Sequence, residues 1–478
     1  MKSYQSTLAH HGRKPPTAST PLAANGQPQH AAAPPLTANG QAPAAVSAPL
    51  DLPRPKGRNL RWVIIGIIAL LTITNYLDRG NLSVAAPQIM QDLHISNAMM
   101  GVVLSAFVWP YAIMNLPTGW AVDRFGVKLL LALAAGLWSV VAILTGFARS
   151  VGAFIGLRIA LGVSEAPLFP AALKATDKWF PEREKAAATS AYIAATQVGL
   201  ALAPPVSTLL MEYFGWPAMF IIMGIFGFVA LLGWLVVYRE PEQHPRLHSD
   251  ELRYITAGQQ HRQEAPATQQ GMVSLNEWSR LFRYASTWYM VIGGFCLQYV
   301  FWFYISWLPT YLQQAQGFTL NRAGLLSALP YIAGGVAVLI GGRFSDRLVV
   351  RGVDPFKARR YTIAGAAVMN ALAMFVTAAS TGPALAVALL TLGMFTYSLS
   401  SGNYWTLAAE AVTSKRLVAS VSSIQNFGGF LGGACAPIVT GIVIDRFGGF
   451  VLAIVVAGAM AMISAMMYGI ALRRRLPV

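Results

Sequence analysis

The chain has 478 residues, 55% of them hydrophobic and only 11% charged, with a mean hydropathy of +0.50. A soluble domain carries about a quarter charged residues, so these values exclude an ordinary soluble enzyme or binding module and indicate a polytopic membrane protein. A formal net charge of +16 would suit nucleic acid, but the placement of the basic residues assigns it to membrane topology instead.

Residues 1–58 are rich in Ala, Pro, Gln and Thr and hold no apolar run of the signal-peptide kind. They read as a disordered cytoplasmic tail. Twelve apolar segments follow, near 62–90, 99–120, 129–148, 152–175, 186–211, 216–238, 288–313, 323–344, 361–380, 384–408, 417–443 and 450–472. Each is long enough to span about 30 Å of hydrocarbon. The polar stretch 239–287, with Pro241, Pro245 and Pro266, divides them six and six. The expected organisation is an all-α membrane protein: a six-helix half over 59–238, a cytoplasmic linker over 239–287, a second half over 288–472, and a basic tail over 473–478. With both termini on one side, that side holds 30 of the 35 Lys and Arg; Arg149, Arg322 and Arg446 fall opposite, and Arg79 and Arg158 fall inside the membrane. The positive-inside rule then makes both termini cytoplasmic. The lipid bilayer is the expected partner, and nucleic acid is not.

The two cysteines, Cys296 and Cys435, lie in apolar segments, and all seven histidines lie in the tail or the loops. No disulfide framework and no metal-ligand cluster is implied, and titratable work inside the membrane falls to carboxylates. No nucleophile–base constellation or cofactor motif stands out, so the chain does not read as an enzyme.

The first segment carries Asn75-Tyr76-Leu77-Asp78-Arg79-Gly80-Asn81-Leu82-Ser83. An ionised side chain near a bilayer centre costs from about 3 to over 10 kcal/mol, so Asp78 and Arg79 mark a wet cavity or a working site. Gly119-x-x-x-Asp123-Arg124-x-Gly126-x-Lys128 joins the second and third segments; its glycines permit close helix approach and a tight turn, and its charges suit a cytoplasmic gate. The fourth segment holds Arg158 and Glu165, seven apart on one helix face and about 10 Å apart along the axis. They form either a static ion pair or a switch. In the switch, Glu165 alternates between a protonated, buried state and one ionised beside an arginine. Tyr111, Gln197, Gln298, Tyr404, Trp405, Gln425 and Asn426 interrupt apolar helices; each can bond a neighbouring helix, and together they suit a hydroxylated ligand.

The halves repeat one another. Gly119, Asp123 and Arg124 recur as Gly342, Asp346 and Arg347 at an offset of 223; Arg183, Pro204 and Glu212 recur as Arg416, Pro437 and Asp445 at an offset of 233. Transporters built from parallel repeats bind substrate between the halves near the midplane. Asp78, Arg79 and Glu165 map onto Val300, Phe301 and Ser398, so the intramembrane charges belong to the first half alone. Gly441-x-x-x-Asp445 falls on the opposite face from the gate loop and reads as a helix terminus rather than a gate.

The gate loop with its degenerate second copy resembles the signature of the major facilitator superfamily. The string Asn75 to Pro87, Arg158 to Pro170, Trp179 to Arg183 and Trp307 to Leu312 resemble its anion:cation symporter branch, notably bacterial D-galactonate, glucarate and hexuronate transporters. The resemblance covers about residues 60–470. It implies proton-driven import of an organic anion, with the proton as coupling ion and no cofactor. It also implies roles: Asp78 and Glu165 in proton coupling, with Arg158 partnering Glu165; Arg79 and Tyr111 on the substrate carboxylate; Trp405 and Asn426 on the sugar chain. The helix-five glutamine aligns at Thr196 or Gln197, Gln298 aligns with the helix-seven glutamine only across a gap, and Tyr404 stands where a threonine is usual. The expectation is a monomeric, proton-coupled sugar-acid symporter of the bacterial inner membrane. The alternatives are a carrier of another organic anion (dicarboxylate, aromatic or sulfonated) and a non-transporting sensor on the same fold.

Overall fold

A computed structural model describes residues 59–264 and 274–477; the expected N-terminal tail lies outside them. The first half comprises α1 (Leu60–Leu93), α2 (Asn97–Ser105), α3 (Val108–Phe125), α4 (Val127–Thr145), α5 (Val151–Glu165), α6 (Leu168–Trp179) and α7 (Glu182–Val237). The linker contributes α8 (Ser249–Glu264) and α9 (Leu275–Arg280). The second half comprises α10 (Ala285–Gln314), α11 (Leu320–Val350), α12 (Pro355–Ala379), α13 (Pro383–Glu410), α14 (Val418–Phe447) and α15 (Val451–Met466), the last continued by a π turn over Met467–Ala471.

Among the described residues, eleven helical stretches are long and apolar enough to cross a membrane; α2 with α3 makes one and α5 with α6 another. The breaks have local causes. Pro110 cannot donate to the Ala106 carbonyl, and in the fourth stretch Pro167 cannot donate to the Val163 carbonyl. The 56-residue α7 is two helices joined at Gly215, whose φ of 76° and ψ of 167° are non-helical. Unbroken, it would run about 84 Å, far beyond a bilayer. Gly215 supplies the positive φ, and Pro217 then starts the second helix without needing an N–H partner. The break falls between the expected segments 186–211 and 216–238.

Helix order sets two ends. The near end carries the Gly126 turn, the α6–α7 junction and the α11–α12 turn; the far end carries the α1–α2, α10–α11 and α14–α15 turns. The halves meet firmly toward the far end. The Ser105 hydroxyl donates to the Ala434 carbonyl at 2.7 Å, and Thr310 donates to the Ser83 carbonyl at 3.3 Å. Asn97 and Ala98 of α2 donate to Asp445 of α14, and Asn321 of α11 donates to Glu212 of α7. At the near end a Cβ on Gly119 or Gly342 would meet nothing within 4 Å. The close approach expected at Gly119 is therefore not made in this conformation, whereas Gly126 does provide the tight turn, at φ 82°.

The linker helix α8 is fastened to the first half by a buried charge cluster. Arg61 Nε donates to Glu184 and Nη1 to Glu251, both at 2.8 Å, and Tyr254 donates to Glu184 at 2.8 Å. Glu251 also accepts from the backbone N–H groups of Leu60 and Arg61, closing the exposed start of α1. On the other side of the linker, Glu277 of α9 pairs with Arg416 at 3.0 Å.

Candidate functional site

Residues Asn75, Asp78, Arg79 and Asn81 sit in the middle of α1 and are all buried. Successive residues on a helix turn about 100°, so adjacent Asp78 and Arg79 address different neighbours. Arg79 points at α5: its Nε donates to Glu165 Oε2 at 2.9 Å, with the two side chains 6% and 0% exposed. Three rings surround the guanidinium, whose central carbon lies 4.5 Å from the centroid of Tyr76, 5.0 Å from Phe107 and 4.6 Å from Tyr111. Each such contact contributes up to about 2 kcal/mol when desolvated. Phe107 and Tyr111 lie one helical turn apart and stack at 5.4 Å. The second half completes the enclosure, with Phe430 edge-on to Tyr111 at 5.7 Å and Trp302 against Phe107 at 6.1 Å.

The chamber holds polar capacity in reserve. Among the described residues, Arg79 Nη2, Glu165 Oε1 and both amide atoms of Asn75 are buried without a hydrogen-bond partner, and Asn75 faces Glu165. Buried polar atoms are satisfied in nearly all native structures. A cluster of donors and acceptors left open beside a guanidinium suits an oxyanion ligand and an exchangeable proton.

Asp78 faces the other way. Asn81 Nδ2 donates to its Oδ1 at 3.2 Å, and Asp78, Asn81, Thr145 and Arg158 line one narrow cleft with Leu161 and Phe220, of about 10 Å³. That is the lower bound for a single water. Arg158 is 5% exposed and makes no direct ion pair among the described residues. The expected Arg158–Glu165 pair is therefore replaced by Arg79–Glu165. Two helical turns separate Arg158 from Glu165, and Arg158 extends into the Asp78 cleft.

The remaining candidates fall into three groups. Gln197 of α7 reaches across to α11, where a Cβ on Gly334 would lie 3.3 Å from its Nε2. Gln298 of α10 accepts from Tyr397 of α13 at 2.5 Å, and Tyr397 stacks on Phe301 at 5.2 Å. Asn426 is half-buried one residue from Gln425. Tyr404 is engaged between helices: its hydroxyl donates to the Gln425 carbonyl at 3.1 Å, and Gln425 Nε2 donates to the Tyr404 carbonyl at 2.8 Å. Trp405 is half exposed beside it. At the near end the gate charges pair inside their own halves, Asp123 with Lys174 at 2.5 Å and Asp346 and Glu410 each with Arg359 at 3.8 Å; Arg124 and Arg347 are exposed.

Sequence reasoning missed Tyr76, Phe107, Asn75 and Tyr397. The first three carried a signal: Tyr76 stands three residues before Arg79, Phe107 four before Tyr111, and Asn75 one turn before Arg79. Tyr397 carried none, because its relation to Gln298 is set by packing between distant helices.

The chain is similar to proteins and structures of known kind. It is 34% identical over 402 residues to the Probable L-galactonate transporter of Escherichia coli, covering 84% of this chain and 87% of that one. It is 32% identical to the Probable sulfoacetate transporter SauU of Cupriavidus necator, covering 85% and 92%. Its fold superposes with a TM-score of 0.70, at 17% identity, on an inward-facing, occupied structure of a bacterial homologue of the human lysosomal transporter Spinster, covering 88% of this chain and 100% of that one. The Major Facilitator Superfamily profile matches residues 68–437, and with the helical architecture and the buried charges of α1 and α5 this establishes that the chain is a membrane transporter belonging to that superfamily, not an enzyme.

Proposed function

We propose that this chain is a proton-coupled symporter that imports a sugar acid across the bacterial inner membrane. In this reading α7 crosses twice, giving twelve spans with both termini cytoplasmic. The near end is then the cytoplasmic end, and the conformation, joined at the far end and open around Gly119 and Gly342, faces inward.

The observation that carries the proposal is the Arg79–Glu165 pair inside its aromatic enclosure. Glu165 is the internal substitute for a substrate carboxylate. Without substrate it holds Arg79. A proton on Glu165 removes its charge and frees the guanidinium, which then takes the carboxylate of the incoming anion with Tyr111 beside it. Planar bidentate recognition of a carboxylate is what a guanidinium does best. On the inner side, loss of the proton lets Glu165 reclaim Arg79 and expel the anion. Binding and protonation are thereby linked through one shared partner, and Asp78, which shares a narrow cleft with Arg158 without a direct ion pair, is a second candidate proton carrier on the opposite face of α1. Gln197, Gln298 and Asn426 supply amides for hydroxyl groups, and Trp405 an apolar face.

The test is uptake into proteoliposomes under an inward proton gradient, with galactonate, gluconate, glucarate, glucuronate, galacturonate, tartrate, an aromatic acid and sulfoacetate. Accumulation of a hexose-derived acid that disappears when the gradient is collapsed supports the proposal. A sulfonate or other non-sugar anion as the only cargo moves the reading to the second class, which the similarity to the sulfoacetate transporter favours among the alternatives. A monomer is proposed as the working unit.

A further inference from the structure

Away from the central chamber, the near end of the first half holds a cavity of about 270 Å³ at the seam between the start of α4 and the end of α7. Phe125, Lys128 and Leu129 wall it on one side, and Arg239, Glu240 and Gln243 on the other. The seam is fixed from beneath. Trp234 Nε1 donates to the Lys128 carbonyl at 3.1 Å, tying the first turn of α4 to the last turn of α7. Tyr238 stacks on Trp234 at 4.0 Å, and both side chains are fully buried. Glu240 is already matched by Lys178 at 2.7 Å. Lys128 is half-buried and Arg239 exposed, and neither forms an ion pair among the described residues. The cavity is therefore left with two unmatched cations. Below this rim the two helices stay in contact, with a Cβ on Gly136 falling 3.5 Å from Leu231. Their outer faces are apolar and exposed, through Leu129, Leu133 and Leu137 on α4 and Val229, Leu232 and Val236 on α7.

We propose that this cavity binds the phosphate headgroup of an anionic phospholipid, whose acyl chains lie along the exposed apolar faces of α4 and α7. Lys128 and Arg239 take the phosphodiester oxygens, since an ammonium and a guanidinium are the side chains suited to phosphate. Gln243 brings an amide to the same space for a headgroup hydroxyl. The volume falls below the roughly 300–1,000 Å³ of sites that enclose a drug-sized ligand, so it admits a headgroup while the chains stay outside. A soluble phosphate would meet the same cations, but it has no use for the apolar faces that start beside them. Basic pockets at the membrane surface of a helix pair are where anionic headgroups bind. The site is distinct from the chamber around Arg79, in the middle of α1. Both its cations belong to the first half, so an occupant clamps α4 to α7 and stabilises that half without bridging to the other. Which leaflet supplies the lipid rests on the topology proposed above; the site itself does not.

The experiment follows the melting temperature of the full chain in a nonionic detergent at low ionic strength. Dioleoylphosphatidylglycerol, dioleoylphosphatidylethanolamine or inorganic phosphate is titrated in. No transport substrate is needed, so the outcome is independent of which anion is carried. The phosphatidylglycerol should raise the midpoint saturably, as a ligand of the folded state does, and the other two should not at equal concentration. Lys128→Gln and Arg239→Gln should each raise the half-saturating lipid fraction about fivefold, and together about thirtyfold, the worth of one and two basic residues at a membrane surface. Arg343→Gln with Arg351→Gln removes the same charge from exposed positions at the near end outside the cavity and should leave that fraction unchanged. A Lys128→Gln, Arg239→Gln variant with the parent's half-saturation overturns the proposal. So does equal weakening by the Arg343→Gln, Arg351→Gln pair, which would make the attraction diffuse. Equal protection by phosphatidylethanolamine removes the anionic headgroup from the proposal, and equal protection by inorganic phosphate overturns the lipid in favour of a soluble anion.

Discussion

Arg79 and Glu165 form a buried ion pair at 2.9 Å in which each partner keeps one polar atom unbonded among the described residues. Breaking a buried pair by removing one partner strands the other charge and costs about 3–5 kcal/mol. Arg79→Ala should therefore weaken anion binding about ten- to hundredfold, the range for a lost hydrogen bond to a charged group, and should also lower the melting temperature. Isothermal titration of the purified protein beside a thermal melt checks both, and unchanged affinity would take Arg79 out of the site.

Glu165→Gln keeps the shape of the carboxyl group and removes its charge cycle. The expected outcome is loss of uphill, gradient-driven accumulation with retention of counterflow exchange, measured in the same proteoliposomes. Accumulation at the parental level in this variant would refute the competition between Glu165 and the substrate for Arg79.

Tyr111→Phe separates the two services of that side chain. The ring stays stacked on Phe107 and beside Arg79, so folding should be unaffected, while the hydroxyl near the carboxylate position is lost. A rise in KM of about three- to tenfold with kcat little changed is expected, as for one neutral hydrogen bond. Tyr111→Ala should be markedly worse because the enclosure opens.

Arg61→Met leaves Glu184 and Glu251 buried beside each other without their shared cation. Destabilisation of about 3–5 kcal/mol is expected, read as a lower melting temperature. The companion variant Arg61→Met, Glu184→Gln, Glu251→Gln should recover part of it. A melt of the single variant equal to the parent's would show that the cluster contributes little.

The transporter architecture was legible in the chain because bilayer thickness imposes segment length, and because turn residues of the first half recur in the second. The break at Gly215 falls where the sequence separates the apolar segments 186–211 and 216–238. Asp78, Arg79, Arg158 and Glu165 were legible as a set for a simple reason: charge inside hydrocarbon is costly enough to need an explanation. Their pairing was not. Sequence spacing fixes which residues of one helix share a face, but packing of α1 against α5 decides that Arg79, rather than Arg158 two turns away on the same helix, reaches Glu165. Tyr404 shows the converse limit. A polar residue in an apolar helix looks the same in sequence whether it meets a ligand or, as here, the carbonyl of Gln425 on the next helix. Asp445 does lie in the last turn of α14, as its motif suggests, but its partners Asn97 and Ala98 could not be read from sequence because they lie some 350 residues away.

The helices α10 and α14 pack closely through glycines of α14. A methyl group on Gly432 would strike the Phe295 carbonyl oxygen, and one on Gly433 would strike the Trp302 indole. Two helices packed this closely are expected to move as one unit. Gln298 and Asn426 ride near the middle of that pair and Asp445 at its tip. If Gln298 and Asn426 contact the anion as proposed, a tilt imposed there would be carried along the pair to its far tip. A bulky substitution at Gly432 should therefore force α10 and α14 apart, read as a lower melting temperature.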